Sequence, residues 1–521
     1  MKKYRIGILA VLCFALAACS SAEKNTEAEK AETQETAAQE TAEAETVHPI
    51  SILAGENSFS EWDESGGQLL ASVSYPVVML AEQETYPELA ETLALIQKER
   101  EEACRFAYEA SLENAKERLL AEPANFIANE IQETVKVRRA DSRAVSLVFD
   151  GSFYLGDAEG SSYSETAVID TRTGKQLSLS DVITDSERAQ QVMCEEVTAW
   201  SDWMPDAEPS EWSDFIRESW EHFPWVLDPQ GLTVYLVPYA SAAEPEQIQS
   251  VTLSFSKYPD LIKEEYQKIP ESWGGEFSMN RHFYADTDGD GEVNDIFISA
   301  EKTEYGDYAS LDICVDQASL TDELYAFSAE PMLFGDRDGK TILLIETQSA
   351  NDYQMISVYD LGSGMPEKLG YAGGARCQVW NEQYECGMHQ VLNNPEEFSL
   401  STRTYLLGTY DGIRTYHMTE DGLPEAEEEW YEMTAPFPDS LTFTVQKSFT
   451  ADVVDEQGAA AGSTELSAGE TVTYVRTDNA SFADVRRSNG QIVRLAVKAD
   501  WPVLVNGMSV EEVLDGVIFA G

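Results

Sequence analysis

The chain has 521 residues, 43% of them hydrophobic, too long for one compact core, so two or three domains are expected. Asp and Glu outnumber Lys and Arg by 94 to 35, a formal charge of −59, and such a surface repels phosphate backbones, which excludes nucleic acid as a partner. Cations and basic proteins would be drawn toward it, although solubility outside the cell accounts for the same charge without any partner.

Lys2, Lys3 and Arg5 form a basic start, Ile6 to Leu16 an apolar run, and Leu16-Ala17-Ala18-Cys19 closes with small residues. This resembles a bacterial lipoprotein signal with its lipobox. The apolar run is short for a membrane span. The resemblance implies that residues 1–18 are removed and that Cys19 becomes the lipidated N-terminus. Acyl chains such as palmitate would then hold the chain to the extracellular face of the cell membrane, or to the periplasmic side where an outer membrane is present. Removing the three basic residues would take the formal charge from −59 to −62. Residues 19–47 follow as a disordered acidic tether, with eight glutamates against two lysines from residue 20 on and no aromatic residue.

Residues 48–270 mix strands and helices. After Tyr86-Pro87, the residues Leu89, Leu93, Ile96, Ala103, Ala107 and Ala110 recur mostly at three- and four-residue steps, which predicts a helix from about Pro87 to about Leu119. Val145, Leu147 and Phe149 alternate as in a strand, as do Val251, Leu253 and Phe255. Asp170-Thr171-Arg172-Thr173-Gly174-Lys175 reads as a hairpin turn. Trp200, Trp203, Trp212, Trp220 and Trp225 crowd one segment; core packing is the favoured reading, a ligand groove the other.

A wider pattern joins these elements. A Tyr75-Pro76 strand precedes the long helix; the turn Thr173-Gly174-Lys175 leads into Leu177-Ser178-Leu179-Ser180-Asp181-Val182-Ile183; Phe223 precedes Gly231-Leu232-Thr233-Val234-Tyr235-Leu236-Val237-Pro238-Tyr239; and the Val251 strand closes the set. Together they resemble the RsiV-type extracellular domain, found on lysozyme-sensing anti-sigma factors and beside peptidoglycan deacetylase domains. Where members often carry a Gly-Gly-Ala-His loop, this chain has Gly156-Asp157-Ala158-Glu159-Gly160. The resemblance implies an α+β domain outside the cell and makes lysozyme a candidate partner. Neither an anti-sigma region nor a deacetylase domain is present to transfer those activities.

Residues 271–435 read as repeated antiparallel strands, propeller-like, with Asp-Gly turns at Asp290-Gly291, Asp338-Gly339 and Asp411-Gly412. The sharpest motif lies here, in Asp286-Thr287-Asp288-Gly289-Asp290-Gly291-Glu292-Val293-Asn294. Calcium needs several hard oxygens around a tight turn, and alternate positions Asp286, Asp288 and Asp290 converge once Gly291 reverses the chain. Glu292 offers its carbonyl and Asn294 or Asp295 a further oxygen. The twelfth position is Phe297 rather than the glutamate of an EF-hand, and the loop resembles the calcium hairpin of integrin-type propeller blades. A solvated acidic turn is the alternative.

Residues 436–521 are again strand-rich. Leu466 to Val472, Phe482 to Val485 and Asn489-Gly490 resemble a bacterial SH3-like barrel, with Gly490-Gln491-Ile492-Val493 where the usual ending is Gly-Trp-Val. Of seven cysteines, Cys377 and Cys386 could close a small loop in an oxidising envelope or stand as two free thiols on neighbouring strands. His48, His222, His282, His389 and His417 are scattered, with no H-E-x-x-H helix and no G-x-S-x-G elbow.

The expectation is an α+β lipoprotein with β-rich C-terminal regions, not an enzyme, that binds or senses lysozyme, another basic extracellular protein or a cell-wall component. A calcium-stabilised envelope scaffold is the alternative, and an envelope hydrolase ranks third.

Overall fold

Strands and helices follow the two side-chain periodicities of the backbone, 2.0 and 3.6 residues. The computed structural model describes residues 46–156, 160–199, 209–236, 249–337, 339–362, 364–434 and 438–519. Cys19, the signal and most of the tether lie outside the described residues, as do Trp200, Trp203 and the Asp157-Ala158-Glu159 loop. The chain is mostly β, with 50% strand and 18% helix in several sheets and no closed barrel among the described residues. Among these residues no helix is long and apolar enough to cross a membrane. Two units are formed, one from the residues up to Glu271 together with Asn280–Tyr284, the other from Ser272–Met279 and Ala285–Gly521.

In the first unit β1 (Ile52–Trp62) pairs antiparallel with β2 (Leu69–Leu80), and β2 runs parallel to β3 (Asn129–Ala140). A parallel pair needs a crossover, supplied by α1 (Pro87–Ala121). Then β3, β4 (Ala144–Tyr154) and β5 (Ser161–Asp170) follow as antiparallel neighbours. The buried stripe of α1 is Leu89, Leu93, Gln97, Arg100, Cys104, Ala107, Ser111 and Ala115. Ile96, Ala103 and Ala110, expected on that stripe, are only half-buried. Polar Gln97 and Arg100 take the inner face because the sheet beneath supplies partners: the Val78 backbone N–H donates to the Gln97 side chain, and Arg100 donates to Glu133. Ala144 to Phe149 of β4 are all buried, so that strand is covered on both faces rather than half-buried.

The Asp170 turn forms as the sequence suggests. Its carboxylate accepts from the N–H groups of Arg172 and Thr173, and Gly174 completes it at a φ of +65°. A second core gathers Leu179, Met193, Ile216, Trp220, Trp225, Leu232 and Leu253. These come from α2 (Ser186–Ala199), α3 (Pro209–Ser219), β6 (Trp225–Leu227), β7 (Gly231–Leu236) and β8 (Gln249–Ser254) with their connections. Trp220 and Trp225 are therefore core residues. The first unit also includes β10 (His282–Ala285) as far as Tyr284.

In the second unit β9 (Ser272–Glu276), β14 (Ser328–Asp336), β15 (Thr341–Gln348), β16 (Gln354–Asp360) and β17 (Glu367–Gly373) make an antiparallel sheet, order β17-β16-β15-β14-β9. The continuous apolar run Ile342-Leu343-Leu344-Ile345 is buried at its centre, as a doubly covered strand requires. Ahead of it β11 (Asn294–Lys302), β12 (Tyr308–Val315) and β13 (Ala318–Ala326) form a meander. A third sheet contains β18 (Ala375–Arg376), β21 (Phe398–Thr404), β22 (Tyr410–Met418), β24 (Tyr431–Thr434), and then β28 (Thr471–Thr477), β29 (Phe482–Arg487) and β30 (Ile492–Lys498). Tyr431 of β24 faces Thr477 of β28, so hydrogen bonding runs across the expected division at residue 435.

One turn expectation is corrected, and of the two arrangements open for Cys377 and Cys386 the free thiols are found. Asp411-Gly412 is not a turn; both lie inside β22, opposite Thr434 and Met433. Glycine is used there for close approach, since a Cβ on Gly412 would lie 2.6 Å from that of Tyr431. Cys377 and Cys386 are free and buried. In the hairpin of β19 (Gln378–Asn381) and β20 (Cys386–Gln390), Cys386 lies opposite Asn381, and the Gln390 N–H donates to the Cys377 carbonyl. The two cysteines thus sit at opposite ends of a ladder rising about 3.3 Å per residue, too far apart for a disulfide. Burial pushes the Cys377 thiol up to about 11.

Candidate metal centre

The acidic loop enters the second unit at Asp286. Its turn is made by glycines in the left-handed region, Gly289 at a φ of +77° and Gly291 at +87°, conformations that favour glycine over any other residue. Asp286 holds the loop closed, accepting from the Gly289 N–H at 2.7 Å and the Gly291 N–H at 2.9 Å. The Asp290 N–H donates to Asp288 at 3.3 Å and the Glu292 N–H to Asp290 at 2.7 Å. One oxygen each from Asp286, Asp288 and Asp290 gathers within 4.8 Å of the others, with Asp286 half-buried and the other two exposed.

That spacing can be tested against a metal. Calcium binds oxygens at 2.3–2.6 Å, so two oxygens on one ion are at most about 5.2 Å apart. The three carboxylates meet that limit, and the donor set of hard, anionic oxygens suits calcium or magnesium rather than a softer metal. A bound cation would offset the mutual repulsion of three like charges.

The other two expected ligands behave differently. Asn294 turns inward: its Oδ1 accepts from the Thr287 N–H at 2.9 Å and the Thr287 hydroxyl at 2.7 Å, and its Nδ2 donates to Asp316 at 2.9 Å. Both lone pairs of that oxygen are engaged, so in this arrangement Asn294 braces the loop. Asp316 also accepts from the Asp295 N–H. The Glu292 side chain is exposed and stands outside the gathered group, as expected of a residue proposed to offer its carbonyl. A second brace comes from the β14–β15 connection. Gly339, at a φ of +83°, lies so close that a Cβ there would be 2.3 Å from the Gly289 Cα, and the Thr341 hydroxyl donates to the Asp286 carbonyl at 3.1 Å.

Sequence reading missed a different set of charges, the buried arginines. In the first unit Arg138 makes a two-pronged pair with Asp228 at 2.7 and 3.0 Å and lies 3.9 Å from the centre of the Phe283 ring. Burial works against its charge, and Asp228 outweighs that, leaving the guanidinium above its ordinary range. Arg139 pairs with Asp141 and donates to the carbonyls of Tyr266 and Lys268. Under α1, Arg100 bridges Glu133 at 2.7 Å and Glu165 at 2.9 Å, and the Tyr163 hydroxyl also donates to Glu133. Burial raises the Glu165 carboxyl, with Arg100 pulling the other way, and burial pushes the neighbouring Cys104 thiol up to about 12. In the second unit Arg376 joins Glu276 and Glu346, and Asp484 accepts from both Arg476 and Arg494. The faint signal in the sequence was Val135-Lys136-Val137-Arg138-Arg139, a strand whose polar positions are too basic for so acidic a chain.

The sequence matches no family model and no curated protein. Among solved structures, a DUF3298 family protein from Pseudomonas aeruginosa PAO1 is similar at 18% identity, covering 43% of this chain and 98% of its own, with a TM-score of 0.29. A member of the same family from Bacteroides fragilis NCTC 9343 is similar at 11% identity, covering 42% of this chain and 96% of its own, again with a TM-score of 0.29.

Proposed function

We propose that this chain is a non-catalytic binding protein of the bacterial envelope. It is held at the extracellular face of the cell membrane through lipidated Cys19, and it captures a basic extracellular protein or a cell-wall component. The observation that supports this reading is where the scarce cations go. Among the described residues, Arg100, Lys136, Arg138, Arg139, Arg143, Arg281, Arg376 and Arg476 are buried, against only seven buried acids, although acids outnumber Lys and Arg by 94 to 35. Folding therefore removes a larger share of the positive charge than of the negative and leaves the exterior more one-sided than the composition. Such a field speeds the approach of a cationic partner.

Lysozyme is the specific candidate because it is basic and because residues 48–270 resemble the RsiV-type domain. With that domain we propose an SH3-like arrangement for residues 436–521 and a propeller-like one for 271–435. The Asp286, Asp288 and Asp290 oxygens favour, as a second reading, a calcium-stabilised scaffold. Calorimetric titration of the purified chain with lysozyme tests the first reading, with a saturable isotherm expected. Turnover of muropeptides by the chain itself would move the account to a hydrolase, and no heat beyond dilution would leave the scaffold ahead.

A further inference from the structure

The long helix α1 has an outer face of unusual make-up. At about 100° per residue, Leu95, Phe106, Glu113 and Leu120 fall within about 40° of one another on the side opposite the buried stripe. Leu95 is 55% exposed, Phe106 54% and Leu120 86%. Between Phe106 and Leu120, the exposed residues Glu109, Glu113 and Glu117 follow one another at four-residue steps. Like charges at that spacing work against the helix that carries them. Earlier on the same helix two carboxylates have partners, Glu101 with Arg105 and Glu102 with Lys98. Among the described residues the three later glutamates have no hydrogen bond or ion pair, and Lys116 on their flank pairs with none of them.

We infer that this face of α1 docks a cationic amphipathic helical peptide, one whose lysines or arginines repeat at helical spacing beside an apolar row. The inference rests on the reading that the chain binds cationic partners, and it assigns a place and a shape to one. A helix laid along α1 sets its cations against Glu109, Glu113 and Glu117, where they relieve the mutual repulsion, and its apolar side chains against Phe106, Leu95 and Leu120. A straight, wall-less face of this kind matches another helix better than a compact globular surface, since helices pack side by side through such ridges. The apolar contacts make binding depend on how the partner's charge is arranged and not only on its amount.

The test uses the full-length chain in mild detergent, near-physiological salt, a leucine-lysine amphipathic helical peptide of about 28 residues, long enough at about 1.5 Å per residue to reach from Leu95 to Leu120, and a scrambled peptide of the same composition. The expected result is that Glu109→Gln, Glu113→Gln and Glu117→Gln combined, and separately Phe106→Ser, each weaken the amphipathic peptide by about tenfold. The same charge change made with the exposed Glu301→Gln, Glu304→Gln and Glu323→Gln should alter binding by less than about twofold. The scrambled peptide should bind weakly to every variant. Equal weakening by both triple variants, or equal binding of the two peptides, would overturn the assignment to α1. Lysozyme binding measured on the same samples separates the two claims: if it persists while the α1 assignment fails, the wider reading still stands.

Discussion

Glu165 and Glu133 share one guanidinium, and that arithmetic shapes the behaviour of the site under α1. A buried Glu133 and a half-buried Glu165 against one Arg100 leave an excess negative charge, and burial raises Glu165 above its ordinary range. A carboxyl raised on folding holds its proton more tightly in the native state. Its contribution to stability is present at low pH and is lost as pH rises through the raised value. Glu165→Gln should therefore reduce the loss of stability as pH rises above the ordinary glutamate range, read as the shift in urea midpoint against the parent chain. Glu133→Ala, which takes away the closer partner of a buried charge, should cost about 3–5 kcal/mol. If Glu165→Gln leaves the pH dependence unchanged, the excess charge is not where the geometry puts it.

The acidic loop yields the second residue-scale expectation. Calcium at tenfold its dissociation constant should stabilise the chain by about 1.4 kcal/mol, visible as a rise in melting temperature that EDTA reverses. Asp288→Asn is the cleaner probe, because Asp286 also ties down the loop backbone whereas Asp288 accepts one long bond at 3.3 Å. It should abolish the rise with little change in the melt without calcium. A melt indifferent to calcium and EDTA would remove the metal. Asp286, Asp288 and Asp290 were legible in the sequence because their alternation is local. The role of Asn294 was not, since its direction is fixed by Asp316, far along the chain.

Among the elements, Gly339 couples the β14–β15 connection to the acidic loop. Its φ of +83° disfavours any side chain, and a Cβ would collide with the Gly289 backbone, which has no flexible end to swing away. Gly339→Ala should lower stability by more than about 1 kcal/mol and weaken the calcium response with it; a calcium response of full size in that variant would mean the two loops are not coupled. Helix α1 and the strands around Leu147 and Leu253 could be read from periodicity. The face of α1 was read less well, because Gln97 and Arg100 count as polar in sequence yet find partners in the sheet and beneath it. Asp411-Gly412 has the chemistry of a turn, but Tyr431 crosses close above Gly412 and only a flat, side-chain-free position fits there. Tertiary contact decided both cases, and local sequence does not contain it.

For the whole molecule, composition and the N-terminal pattern carried most of the functional reading, and the structure adds where the charge is spent. Arginines buried against Asp228, Glu276 and Asp484 are unavailable to the surface. The outside of the protein is left to act as a field for cations, and field alone is screened by salt. The decisive measurement is the affinity of the full-length chain for lysozyme at low and near-physiological salt, beside an unrelated protein of equal positive charge. The account predicts saturable lysozyme binding that survives the higher salt while the control falls away. Equal binding of both proteins that vanishes together with added salt would contradict it, leaving charge without recognition.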